Sequence, residues 1–200
     1  MGRKSKADVR KKEILSHFYE VLTQEGFEGA SIAKIAKSMD VNPSLLIHYF
    51  STKEDMVIEL VESILSTYRT GIFPSLQSIE DPEERFDQLL NYTFGTDWNG
   101  VIDDSVFFDS FALSLRNNDI SRRFKKVYNE LREAMLSELK HALSHNVIDI
   151  KDPEKALDML FVMMEGAHMF NRLRDDSRPK WERGEFLKSN FLFLIKGNQL

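Results

Sequence analysis

The chain has 200 residues, 42% of them apolar, and no cysteine, which suits one large or two small domains with a proper core and excludes disulfides, thiol redox sensing and Cys-ligated zinc. Its formal net charge of −5 is unevenly placed: residues 1–53 hold nine Lys/Arg against six Asp/Glu, a balance of +3, and the remainder holds eighteen against twenty-six, a balance of −8. The basic N-terminus lacks the apolar run of a secretory signal and no stretch of eighteen apolar residues occurs, so the expectation is a cytoplasmic protein that stays off the membrane.

The first helix is predicted over 6–25, with Ile14, Leu15, Phe18, Val21 and Leu22 as its apolar stripe and Gly26 as a left-handed cap. Residues 31–53, SIAKIAKSMDVNPSLLIHYFSTK, then read as two short helices and a tight turn. Ile32, Ile35, Ala36 and Met39 share one face of the first, and the Ser31 hydroxyl is placed to cap it. Asp40-Val41-Asn42 breaks the pattern, and Asn42 can cap a second helix that opens on Pro43. Leu46 and Phe50 face inward, which leaves Ser44, Leu45, Ile47, His48 and Tyr49 on the outside. An exposed mix of small, apolar and aromatic side chains on a second helix suits a reader of the major groove. The expected DNA-binding set is Ser31, Lys34, Asn42, Pro43, Ser44, Leu45, Ile47, His48, Tyr49 and Lys53. Two amphipathic helices around a turn are also common in proteins that never touch DNA, so this motif needs its context.

Ser51 and Glu54 have capping-box spacing for a fourth helix that reaches about residue 69 and joins head to body. Gly71-Ile72-Phe73-Pro74 marks the boundary after it. Further helices are expected over 82–94 (ending around 98–100), 106–115, 120–143, 153–174 and 182–196, nine in all with no strand. The reading is therefore all-α: a three-helix helix-turn-helix head, residues 1–53, on a larger helical body, residues 54–200.

Within the body, the run ALDMLFVMM (156–164) and residues 191–195 are apolar on several sides and call for several covers. Leu160, Phe191 and Leu194 are the expected dimer contacts. Phe- and Met-rich stretches can line an adaptable apolar pocket, or simply fill a core. Tyr92, Trp98, Phe108, Phe111, Met135, Met164, Glu165, His168 and Asn171 are the candidate ligand-binding residues, the polar ones because burial without a partner is costly. Glu165 is the acidic group in the most apolar helix. With aromatic walls it favours a lipophilic cation; walls alone suit an acyl chain or another neutral apolar molecule. Glu165 and His168, three apart on a helix, make only one such pair, so no metal site is expected. Neither a glycine-rich phosphate loop nor a nucleophile elbow is present, and no enzyme or cofactor is expected.

From about residue 12 to 60 the chain resembles the tetracycline-repressor-like (TetR) family of transcription regulators. The resemblance rests on GFEGASIAKIAK (26–37), the V-x-x-x-x-L-x-x-Y-F run from Val41 to Phe50, and STKEDM (51–56). Three positions depart from the family pattern: Asp40 stands where the turn usually carries Gly, Ile47 where a phosphate-gripping tyrosine is frequent, and His48-Tyr49 in place of the aromatic pair. The resemblance implies a homodimer joined through its last two helices, double-stranded DNA with a palindromic operator as partner, and a small molecule in the body that releases it. Alternatives are a regulator of this fold controlled by a protein partner or without any ligand, and a helical ligand-binding module that does not bind DNA.

Overall fold

The computed structural model describes residues 6–95, 103–173 and 179–196. Its helices are α1 (Lys6–Gly29), α2 (Ile32–Ser38), α3 (Pro43–Tyr49), α4 (Lys53–Thr67), α5 (Phe73–Gln77), α6 (Pro82–Phe94), α7 (Asp104–Ser114), α8 (Asn118–Ser144), α9 (Pro153–Leu173) and α10 (Lys180–Lys196), with a π-turn at Tyr68–Ile72 between α4 and α5. Each expected helix is present, and no strand occurs among the described residues. The chain packs as two compact units, residues 1–65 with 102–127 and residues 66–101 with 128–200. Helices α4 and α8 contribute to both.

In the first unit, Ile14 and Phe18 of α1 are fully buried with Ile35 of α2, Leu46 of α3 and Met56 and Val57 of α4. Gly26 interrupts α1 at φ 68°, ψ 176°. This is not the left-handed helical cap expected there but an extended conformation at positive φ, open essentially to glycine alone. The break frees the Phe27 N–H, which donates to Asp109 Oδ2 of α7 at 2.8 Å. The Asp103 N–H donates to the Tyr19 hydroxyl at 2.6 Å and ties the start of α7 to α1 as well. Phe107 of α7 stands 6.3 Å from Phe124 of α8, ring to ring.

Two local expectations shift by a residue or more. The reciprocal cap of α4 forms between Thr52 and Asp55 (N–H to side chain 2.9 Å one way, 3.1 Å the other), not between Ser51 and Glu54. Gly71-Ile72-Phe73-Pro74 is not a break, because the backbone runs on through the π-turn into α5, where Pro74 falls in the first turn.

The second unit is held by a buried ion pair. Arg85 of α6 donates to both carboxylate oxygens of Glu138 on α8, at 2.6 and 2.8 Å. Glu138 is 3% exposed. Its bond holds the Arg85 guanidinium above its ordinary pKa and makes a planar two-point clamp between the helices. Helix α10 lies close against α6: a Cβ on Gly184 would fall 2.2 Å from the Phe94 carbonyl oxygen. Lys188 donates to Asn91 and Asp87 at 2.6 Å each, and Phe191 packs on Phe94 with ring centroids 6.2 Å apart.

Candidate nucleic-acid interface and body site

Short-range caps build the head. The Ser31 hydroxyl accepts from the Lys34 N–H at 3.3 Å, and the Asn42 side chain accepts from the Ser44 N–H at 2.9 Å, with Pro43 opening α3. Between them Asp40 takes φ 54°, a left-handed geometry that aspartate tolerates better than most residues. It lets the Val41 N–H close on the Ala36 carbonyl at 3.0 Å, and the chain turns into α3.

Helix α3 divides as its spacing demands. Leu46 is fully buried and Phe50 is buried behind it. Asn42, Pro43, Ser44, Ile47 and His48 are exposed, and Leu45 and Tyr49 are half-buried. Ile47 is 55% exposed, an apolar side chain with no cover. The His48 and Tyr49 rings meet edge to face at 5.2 Å. The result is a short helix whose outer face offers a hydroxyl, an apolar group and an imidazole together.

The two lysines are engaged internally. Lys34 pairs with Glu25 and donates to the Gly29 carbonyl at 2.9 Å. Lys53 donates to the Phe27 carbonyl at 2.7 Å and the Ala30 carbonyl at 3.0 Å, with its ammonium 3.9 Å from the centre of the Phe27 ring. Two of its three N–H groups therefore close the loop between α1 and α2.

In the second unit, Tyr92 and Met135 share the wall of a small apolar cavity with Tyr68, Ile72, Leu76 and Leu131. It offers about 10 Å³ of water-accessible space, room for roughly one water. Glu165 is half-buried and accepts a hydrogen bond from the Tyr128 hydroxyl. Burial first, and then the charge of Glu165, push the Tyr68 and Tyr128 phenols well above their ordinary pKa, so both stay neutral. Met164 is buried and His168 half-buried.

Phe108 and Phe111 belong to the other compact unit and cluster with Phe107 and Phe124. Trp98 and the side chain of Asn171 lie outside the described residues. Tyr68 and Tyr128 were missed by the sequence reading, although each is a phenol set into a helical apolar stripe, the pattern that singled out Tyr92.

Two of the three expected dimer contacts are already covered within one chain. Leu160 and Phe191 are both 0% exposed within one chain, so they belong to the body's own core, and Leu194 is half-buried. Among the described residues, the exposed large apolar groups on the same two helices are Val162, Met169, Phe170 and Leu173 of α9 and Phe186 and Phe193 of α10, the last 70% exposed. Among the described residues no group of His, Asp and Glu is arranged to hold a metal, and no helix is long and apolar enough to cross a membrane.

Residues 14–60 match the family model described as bacterial regulatory proteins, tetR family, and residues 81–196 match that of the tetracyclin repressor-like C-terminal domain. The chain belongs to the TetR family. It is a DNA-binding transcriptional regulator in an all-α fold. The HTH-type transcriptional regulator BetI of Rhizobium meliloti (strain 1021) is 22% identical over 166 residues, 83% of this chain and 79% of that protein. A TetR transcription regulator from Haloarcula marismortui superposes with a TM-score of 0.82 at 18% identity, covering 95% of this chain and 98% of that one. A transcriptional regulator from Saccharomonospora viridis, solved in complex with choline, superposes at 0.77 with 16% identity, covering 96% and 97%.

Proposed function

We propose that this TetR-family protein is a cytoplasmic homodimeric repressor without catalytic activity. In this reading residues 1–53 bind a palindromic operator, and residues 54–200 dimerise and take up a small apolar molecule that ends the binding. The observation that carries the DNA reading is the outer face of α3. Ser44, Ile47 and His48 are exposed together on a helix whose opposite side, Leu46, is fully buried. An uncovered isoleucine beside a hydroxyl and an imidazole is unfavourable in water and well suited to thymine methyls and base edges. Tyr49 and Leu45 flank that face, while Ser31, Lys34, Asn42, Pro43 and the remaining N–H of Lys53 are the candidates for the phosphates.

The dimer reading rests on α9 and α10. Val162, Met169, Leu173, Phe186 and Phe193 leave large apolar side chains in water on each of two helices that pack on one another, the kind of surface that marks an interaction site. A second copy is their natural cover, with Leu194 at the edge. In the body, the small cavity between Tyr92 and Met135 supports a ligand that enters as the walls part. That the Saccharomonospora viridis regulator was solved in complex with choline supports a small-molecule ligand for a protein of this fold. Control then works by population shift: the ligand favours a head spacing that no longer fits successive major grooves, about 34–36 Å apart.

Selection from fragmented genomic DNA tests the DNA reading. The expected outcome is one enriched palindromic site with half-sites about one helical turn, 10–10.5 bp, apart or a multiple of that. Failure to enrich any site would refute operator binding.

A further inference from the structure

Glu165 raises a question that the rest of the body does not answer. It is a half-buried carboxylate on α9, and among the described residues no lysine or arginine pairs with it. The other buried acid of this unit, Glu138, is matched by the guanidinium of Arg85. Glu165 instead receives the hydroxyl of Tyr128, and Tyr68 lies close enough for its phenol to respond to the charge. The Tyr128 ring stands 6.1 Å from the Phe161 ring, tilted by 45°. Among the described residues, this carboxylate meets a phenol with an aromatic ring beyond it, and no lysine or arginine is paired with it.

That arrangement discriminates between ligand chemistries. A carboxylate ligand would meet like charge. A neutral apolar molecule would take water from Glu165 and return nothing, a costly exchange for an ionised group. An organic ammonium both neutralises the carboxylate and meets the π-faces that attract weakly hydrated cations. Tyr68 supplies the direction of the remaining part, because it also belongs to the wall of the apolar cavity with Ile72, Leu131 and Met135.

We propose that Glu165, Tyr128 and Tyr68 form the headgroup site for an organic ammonium ion whose apolar tail enters the cavity beside Tyr68. The proposal rests on the reading of the body as ligand-binding, and names its ligand class and the residues that select it. Tyr68 and Ile72 both sit on the π-turn that follows α4. Filling the cavity, which now has room for about one water, displaces its walls, and that turn is one of them.

Hexyltrimethylammonium, heptan-1-ol and heptanoate share an apolar chain and differ in charge, and their binding to the full-length protein is measured by calorimetry without DNA. The ammonium should bind roughly tenfold or more tighter than the alcohol, with the carboxylate weakest. Glu165→Gln, which can still accept from Tyr128, should remove that advantage and leave the alcohol within about twofold. Tyr128→Leu should weaken the ammonium more than Tyr128→Phe does, since only leucine removes the ring face. Equal affinities across the three compounds, no binding of the ammonium, or an unchanged ammonium affinity in Glu165→Gln would overturn the proposal. Should the variants fail to fold, the charge series on the native protein still decides. Alcohol or carboxylate binding alone would sink the ammonium site and leave ligand control standing. Ammonium binding that never alters DNA affinity would keep the site and count against ligand control.

Discussion

The α2–α3 head and the polar centre of the body solve opposite problems. In the head, functional side chains must remain in water, so their positions are set by bonds to near neighbours: Ser31 to Lys34, Asn42 to Ser44, Val41 to Ala36. In the body, two acids wholly or partly withdrawn from water are matched by residues far along the chain. Arg85 and Glu138 are 53 positions apart, Tyr128 and Glu165 are 37 apart. Locally held side chains can be exchanged at modest cost to the fold. Groups matched at long range cannot, because removing one strands the other.

That contrast orders the expected effects. The largest belongs to the buried ion pair. Glu138→Ala leaves Arg85 largely buried without its carboxylate and should cost about 3–5 kcal/mol in urea unfolding. A smaller loss in Glu138→Ala would mean that water reaches the pair and that the body is looser than its burial implies. Replacing both partners with apolar residues, Arg85→Met with Glu138→Leu, should recover most of the loss.

Lys53 comes next and tests whether the head has a long-range tie of its own. Lys53→Met removes two bonds to the Phe27 and Ala30 carbonyls and the contact with the Phe27 ring. It should lower stability by about 2 kcal/mol as well as weaken binding to every DNA sequence. A variant with native thermal stability and weakened DNA binding would make Lys53 chiefly a phosphate contact. The smallest effect is at the turn. Asp40→Ala places a residue with no compensating polar group at φ 54° and should destabilise by about 1 kcal/mol, whereas Asp40→Gly relieves the backbone and should come close to the native value. Equal stability for the two would remove the left-handed turn from the account.

Legibility in the sequence follows the same division. The helix-turn-helix was readable because its determinants are local: the serine and asparagine caps, proline at the start of α3, and Leu46 and Phe50 four apart. The body's helices were readable from their apolar spacing and from Asp-Pro starts such as Asp81-Pro82 and Asp152-Pro153, whose aspartates do cap α6 and α9. Spacing alone does not tell which apolar side of a helix a neighbour in the same chain will cover. Leu160 and Phe191 looked like partner contacts for that reason, whereas the exposed side of α10 carries Phe186 and Phe193, seven positions and about two turns apart. Pairings such as Tyr128 with Glu165 depend on how α8 and α9 meet, and no single helix records that.

The central claim, that the outer face of α3 reads base sequence, is tested most directly by measuring DNA affinity of the native protein, Ile47→Ala and His48→Ala across a salt series, on the selected operator and on random DNA. The account predicts salt-sensitive binding of all three proteins to both DNAs. It also predicts a loss of about 1–3 kcal/mol for each variant on the operator, with random DNA nearly unchanged. Equal losses on both DNAs, or binding that ignores salt, would contradict it.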